Sequence, residues 1–489
     1  MSHAKPAIVI IGSGFGGIGA AIELKRAGFT DITILEKADT LGGVWRENTY
    51  PGAACDVPSP LYSYSFEPNP AWPHRYSGQD EILDYIRRTA AKYGVDRFIR
   101  YGTEVTSADF DAHRGKWQIH TSDGDLIETD MLVPAVGQLS RPSWPNIPGM
   151  DTFTGTAFHS AQWDHSYDLT GKRVAVIGTG ASAIQFVPKI APDVAALTIY
   201  QRTPPYIWPK FDTEYGSREK FLREHVPATR LPGRLGLWLF GEWATRGMIK
   251  SKMIAKIVES VALAKLKREI TDPVLRAKLT PDYPIGCKRV LFTQDYLPTL
   301  NRANVDVVTE RVTEITPTGV RTADGTETEV DAIIYGTGFT ANDFLAPMKI
   351  RGIDGQDLHD AWPDGARAYL GLTVPGFPNM LLMYGPNTNV GAGSIIYMLE
   401  AQARYIRQAA ELLAGTDRRS YLDVRRDVAD RFDTETQQRL SSAVWSLCSS
   451  WYRNASGRVA TNWPGQVYEY HRRTRTLDPA DYVVTPVGS

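Results

Sequence analysis

The chain has 489 residues, too many for one hydrophobic core, so two or three domains are expected. Its hydrophobic share of 43% and charged share of 22% are those of an ordinary water-soluble globular protein. With 54 basic against 55 acidic residues and no basic stripe, it has a net charge of −1 and excludes nucleic acid as a partner.

Cys55, Cys287 and Cys448 lie far apart in sequence. They fit no disulfide framework and no C-x-x-C metal or redox pair, and they point to a reducing, cytoplasmic setting. The first apolar stretch, Ala7–Ile11, runs straight into a glycine loop, as a first strand does, with no charged-then-apolar leader ahead of it. Stretches such as Leu235–Phe240 fall far short of the ~20 residues that a membrane helix needs. No integral membrane segment is expected, and contact with a membrane surface stays open.

In chain order, Ala7–Gly17 reads as a buried strand, a glycine turn and a helix start, with Gly12, Ser13, Gly14, Phe15 and Gly17 in the turn. A first Gly permits the tight turn, a second lets backbone approach a pyrophosphate, and the third lets helix pack on strand. The next strand ends at Glu36, suited to accept hydrogen bonds from both ribose hydroxyls of FAD. Asp123-Gly124 then marks a hairpin turn, followed by a strand from Met131 to the glycine at 137.

After the proline-rich connection Pro142–Gly149 the design repeats. Arg173–Ala183 holds Gly178, Thr179, Gly180, Ser182 and Ala183, and its second strand ends at Arg202, followed by Thr203. Arg202 stands at the same offset from its glycine loop as Glu36 does. An arginine there can pair with a 2′-phosphate that a carboxylate would repel, so the second site reads as NADPH. Residues 212–280 switch to a helical composition, with helix expected over Met248–Arg268. For Trp208, Trp238, Phe240 and Trp243 near that insert, ordinary helix packing is the expectation and a substrate-tunnel wall the alternative. Asp324-Gly325 and the strand from Ala332 to Gly338 repeat the hairpin-then-strand pattern. In both copies that strand is expected to return the chain to its sheet edge.

The fold class is therefore α/β, with two Rossmann-like dinucleotide-binding domains and a helical insert in the second. An FAD domain is expected over 1–145 and from 383 to 489, and an NADP domain over 150–380. Two dinucleotide sites in one chain imply electron passage from nicotinamide to flavin. A disulfide-reductase reading needs a redox cysteine pair beside the flavin, and Cys55 stands alone.

Two longer motifs narrow the chemistry. Phe153-Thr-Gly155-Thr-Ala-Phe-His159-Ser-Ala-Gln-Trp163-Asp164 and Gly42-Gly43-Val44-Trp45-Arg-Glu-Asn48-Thr-Tyr50-Pro51-Gly52-Ala-Ala-Cys-Asp56 resemble the two long signatures of type I Baeyer–Villiger monooxygenases. The resemblance runs over most of the chain, to Trp451. It implies a ketone or aldehyde substrate, molecular oxygen as co-substrate, an ester or lactone product, and a C4a-peroxyflavin on the way.

Arg289, after Lys288, resembles the family's arginine over the flavin, and Asp56 is its orienting partner. Guanidinium stays charged at any working pH, which suits an anion developing in a desolvated site. No metal is required. The resemblance further implies that Val44, Trp45, Asp56 and Tyr62 line the flavin, and that Val105 and Gln138 touch FAD. It places Thr179, Ser182 and Gln185 near the NADPH pyrophosphate, Lys288 on the 2′-phosphate, and Trp451 over the nicotinamide nucleotide. The segment from Gly385 to Ile395 would aim a helix N-terminus at the flavin, but its Pro-Asn-Thr-Asn run departs from the best-known members, as does the tail after Gly457. His159 reads as a support for domain movement. Oxygenation of nitrogen or sulfur, or a redox-sensor role, remain the alternatives.

Overall fold

Strands β1 (Ile8–Ile11), β2 (Ile32–Leu35), β3 (Ile99–Arg100) and β4 (Met131–Pro134) form a parallel sheet in the order β3-β2-β1-β4. The structure, a computed structural model, describes residues 5–249, 251–416 and 419–487. Strand periodicity explains why β1 is apolar throughout, because both faces are covered. Ile8 and Ile10 face a core shared with helix α1 (Phe15–Arg26), while Val9 and Ile11 face a second core with Trp117 and Ile119 from an antiparallel sheet. That sheet pairs Val105–Asp111, Lys116–Thr121 and Leu126–Thr129, with Lys349–Arg351 on its outer side.

The second parallel sheet contains β5 (Thr156–His159), β6 (Arg173–Ile177), β7 (Ala196–Tyr200), β8 (Val305–Val308) and β9 (Ala332–Tyr335), ordered β8-β7-β6-β9-β5. It divides its residues the same way. Val174, Val176 and Ile199 pack with helix α2 (Ala183–Ile190), and Ala175, Ile177 and Ile333 pack on the other face. The two hairpin glycines, Gly124 and Gly325, take left-handed φ values of 90° and 87°, which their turns require. β4 lies at a sheet edge as expected. β9 does not, because β5 pairs along its far side from Ala332 opposite Thr156 to Tyr335 opposite His159.

The insert forms α3 (Ser217–His225), α4 (Arg230–Ile249) and α5 (Lys252–Glu269). The single helix expected over Met248–Arg268 is thus two, and Lys250 within that span lies outside the described residues. Ser251 is extended and accepts a hydrogen bond from Ile254 N, so it begins α5 as an N-cap. Farther on, α6 (Ile395–Ala414) packs along α1 and fills the first core with Met398, Tyr405 and Ile406.

Candidate active site

Between the two parallel sheets and α4 lies a cavity of about 1490 Å³. The first glycine loop forms part of its wall through Gly12, Ser13, Gly14 and Phe15. The residue types are dictated by backbone crowding. Gly12 has φ +103° and a Cβ there would sit 2.7 Å from the Ala135 carbonyl oxygen, while one at Gly17 would sit 1.9 Å from that of Gly12. Gly17 itself does not border the cavity and serves the packing of helix on strand.

Glu36 is buried at the cavity wall. Ser13 donates to its Oε2 through N and Oγ at 3.0 and 2.6 Å, and Ala38 N and Arg46 Nη1 donate to Oε1 at 3.1 and 3.0 Å. A carboxylate offers about four acceptor positions, and these four donors fill them, Arg46 from the cavity side.

Val44, Trp45, Tyr62, Val105, Gln138 and Ile395 all line the same cavity. Trp45 Nε1 donates to the Tyr62 hydroxyl at 3.1 Å, and Tyr62 packs edge-on against Phe15 at 5.4 Å. Gln138 donates to the Tyr384 carbonyl, but its buried Oε1 has no partner. An acceptor left open at a cavity wall is suited to a bound donor.

Arg289 Nη2 donates to Asp56 Oδ2 at 3.1 Å. Side-chain exposure is 7% for Asp56 and 45% for Arg289, whose exposed surface borders the cavity. Burial opposes the guanidinium charge, but the Asp56 carboxylate outweighs it and raises the arginine further above its ordinary range. The cation is therefore fixed. The phenols of Tyr384 and Tyr452 also line this region, and burial pushes Tyr452 up to about 12 against the pull of Arg289, so it stays a neutral donor.

Gln185 ties the two nucleotide halves together. Its Oε1 accepts from Tyr50 Oη at 2.9 Å and Ala54 N at 3.3 Å, and its Nε2 donates to Ala54 O at 2.9 Å and to Asp56 Oδ1 at 3.5 Å. The loop between Tyr50 and Asp56 thus rests on α2. Gly52 makes the approach possible, since it has φ +80° and a Cβ would come 2.8 Å from the Gln185 carbonyl oxygen.

The other long motif converges on the same helix. Trp163 packs on Phe158 at 5.1 Å and on Phe186 of α2 at 5.3 Å, and Asp164 accepts from Ser166 N at 2.9 Å. His159 is fully buried at the end of β5, its Nδ1 accepting from Ala161 N at 3.1 Å. Burial lowers its pKa, and it does not border the cavity.

The second glycine loop is only partly brought to the cavity. Ser182 and Gln185 line it, whereas Gly178, Thr179, Gly180, Ala183, Arg202 and Thr203 do not. Gly178 repeats the role of Gly12, with φ +105° and a Cβ position 2.5 Å from the Gly336 carbonyl oxygen. Lys288 borders the cavity, and its pKa is lowered by burial and then by the positive charge of Arg202. Two cations whose charges repel one another are suited to a bound dianion. Trp451 packs on Tyr452 at 4.3 Å in a side cluster off the cavity, and Tyr452 is the one that reaches the wall.

The two departures from the familiar pattern pair with each other. Asn389 and Asn462 bridge in parallel, with Asn389 Nδ2 donating to Asn462 Oδ1 at 2.8 Å. Asn387, at φ 56°, donates to the carbonyls of Val459 and Asn462. Asn tolerates that left-handed backbone better than most residues. Ser394 then caps α6, whose N-terminus faces the cavity through Ile395.

Two expectations are corrected. Cys287 and Cys448 form a disulfide across 161 residues, although the spacing of three cysteines suggested none. The fold brings the loop before Lys288 against the loop before Trp451, a juxtaposition that linear spacing does not reveal. Cys287 is fully buried and off the cavity wall, and Cys55 is the free cysteine among the described residues, so no cysteine pair faces the cavity. The aromatics near the insert also divide. Trp238 packs near Tyr397, but Trp208, Phe240 and Trp243 line the cavity. Helical spacing puts Phe240 and Trp243 on one face, three residues apart, which is the signal that residue type alone concealed.

The family described as Pyridine nucleotide-disulphide oxidoreductase matches residues 9–216. A Streptomyces coelicolor protein named Baeyer-Villiger monooxygenase is 45% identical over 484 residues, covering 99% of this chain and 93% of the relative. A Pseudomonas aeruginosa protein of the same name is 43% identical over 486 residues, with 99% and 92% covered. Among solved structures, OTEMO in complex with FAD and NADP superposes with a TM-score of 0.88 at 28% identity, over 99% of this chain and 100% of that one. Cyclohexanone monooxygenase from Rhodococcus sp. Phi1 bound to NADP+ gives 0.88 at 27% identity, over 98% and 99%.

Proposed function

The chain belongs to the Baeyer–Villiger monooxygenase family, and from that premise we propose that it converts a ketone or aldehyde to an ester or lactone with Arg289 as the catalytic residue. It is an NADPH-dependent flavin monooxygenase that uses FAD and NADP. The reaction consumes NADPH, a proton, O₂ and the carbonyl compound, and yields the ester, NADP⁺ and water. The Arg289–Asp56 pair at the wall of a largely apolar cavity is the observation that carries this reading.

The glycine loops and the open Oε1 of Gln138 fit a bound FAD. Lys288 beside Arg202 fits the 2′-phosphate of NADPH. When bound, the flavin supplies the oxygen-activating chemistry. The chain's part is to hold charge and exclude water. Arg289 presents a permanent cation to the oxyanion that develops on the substrate carbonyl, and Asp56 fixes the direction of its fork. Gln185 holds the Asp56 loop against α2, so it positions the pair from the second nucleotide half. Tyr452 stands near the arginine as a neutral phenol, Tyr384 donates to Asn389 Oδ1, and Phe240 and Trp243 add apolar surface at the cavity rim. We assign the reaction to the cytoplasm, where NADPH is kept reduced, although the Cys287–Cys448 pair is of the kind that persists in an oxidising compartment.

The test is product analysis with isotopically labelled O₂ and a panel of ketones and sulfides. The proposal predicts one labelled oxygen in an ester, with NADPH consumed in proportion. Hydrogen peroxide alone, or a sulfoxide with no ester from any ketone, would overturn it.

A further inference from the structure

Helix α4 carries large apolar side chains on its outer face as well as on its cavity face, and it lies on the surface. One side forms cavity wall through Leu237, Phe240 and Ala244. The opposite side carries Leu231, Leu235 and Leu239 at successive i, i+4 positions, exposed to 70%, 56% and 54% and none of them bordering the cavity. The neighbouring helix α5 repeats the stripe with Met253, Ile257 and Val261, exposed to 70%, 48% and 37%. The two helices pack on each other, with Gly247 close against Ile254. A water-exposed helix normally turns charged residues outward, whereas here the outward positions of both helices carry these apolar stripes.

This apolar surface is concentrated. Of the twenty large hydrophobic side chains exposed among the described residues, twelve fall within 211–261, about a tenth of the chain. The same region is basic. Residues 211–261 hold nine Lys and Arg against six Asp and Glu, in a chain whose net charge is −1. Arg246, Lys252 and Lys256 are exposed around the turn between the two apolar stripes. Among the described residues, no helix is long and apolar enough to cross a membrane.

We propose that the outer face of α4 and α5 docks on an anionic lipid surface, lying in the interface with the leucine stripe among the upper acyl chains and the basic residues at the headgroups. Amphipathic elements bind bilayers in this way, through apolar area and attraction to anionic lipid together. A second copy of the chain is the competing occupant. The net positive charge of the region argues against it, because a two-fold contact would set like charges against like. Docking also places the cavity mouth at the membrane, since exposed Phe211, Phe240 and Trp243 line it beside the stripe. A carbonyl compound dissolved in the bilayer would then enter without crossing water. That consequence rests on the proposed function, whereas the docking itself does not.

The experiment is co-sedimentation of the purified holoenzyme with phosphatidylglycerol vesicles and, separately, phosphatidylcholine vesicles, beside sedimentation velocity without lipid. The enzyme is expected to pellet with phosphatidylglycerol, less with phosphatidylcholine, and to be released as salt is raised. Leu235→Glu with Leu239→Glu should lower the partition coefficient ~10-fold or more while leaving melting temperature and NADPH oxidation unchanged. Lys252→Glu with Lys256→Glu should remove the preference for phosphatidylglycerol. An enzyme that stays in the supernatant with phosphatidylglycerol, or a leucine variant that binds as tightly as the parent, overturns the proposal. So does a dimer that the leucine variant dissociates when neither form binds vesicles, which would make a second copy the occupant.

Discussion

Replacing Arg202 with alanine tests how the second nucleotide site reads its coenzyme. Lys288 and Arg202 stand close enough that the arginine helps to lower the lysine's pKa, after burial, which is the larger cause. Both charges are assigned to the 2′-phosphate that distinguishes NADPH from NADH. A hydrogen bond to a charged group contributes about 1.5–3 kcal/mol net, and the exposure of Arg202 puts it at the lower end. A loss of ~1.4 kcal/mol is about tenfold, so kcat/KM for NADPH should fall roughly tenfold while that for NADH moves less than about twofold. The pH dependence adds a second reading. Lys288 loses its proton at a lower pH than an ordinary lysine, so kcat/KM for NADPH falls as pH rises through that lowered value. Without the repulsion of Arg202 the lysine keeps its proton longer, and the alkaline fall should move to higher pH. Steady-state kinetics with both coenzymes across the alkaline range decide the matter. Equal losses for NADPH and NADH, or an alkaline limb that stays in place, would refute the assignment of the pair.

Gly52→Ala forces a side chain toward the Gln185 backbone at a left-handed φ. It should cost about 1–3 kcal/mol, read as a lower melting temperature, together with weaker coupling of NADPH oxidation to ester. An unchanged melt would mean that the loop does not rest on α2. His159→Ala leaves Ala161 N without its acceptor and should destabilise by about 1–3 kcal/mol, and His159→Asn should recover part of this. Ester formed per NADPH should match the parent in both variants. A drop in that ratio for the asparagine variant, at parental stability, would return His159 to the chemistry.

Much of the architecture is legible in the sequence because both sheets obey one rule. Their central strands are buried on two faces, so they appear as unbroken apolar runs that end in glycine loops. The matched offsets of Glu36 and Arg202 follow from that repeat. Position within a sheet is less legible, since β9 becomes interior only when the distant strand β5 pairs with it. At the site, the sequence marks Arg289 and Asp56 through motif likeness, and the fold sets them 3.1 Å apart. What sequence order cannot carry is contact between distant loops. Cys287 meets Cys448, Asn389 meets Asn462, and Gln185 reaches the Asp56 loop, all through tertiary packing. Tyr452 was concealed by its neighbour. Two adjacent aromatics gave no sign of which faces the cavity, and Trp451 turns away while Tyr452 lines it. The break between α4 and α5 rests on one N-capping serine inside a strongly helical composition, a local signal that composition outweighs.

We assign Arg289 to the oxygen-transfer step and not to hydride delivery. The most direct test is Arg289→Ala, with NADPH oxidation, hydrogen peroxide and ester measured in the same reaction on a ketone that the parent enzyme accepts. Loss of a preorganised charge stabiliser typically costs ~10²–10³ in rate. NADPH should still reduce the flavin, peroxide should appear in step with NADPH consumed, and ester should fall by about that factor. Ester formed at the parental ratio to NADPH would contradict the account.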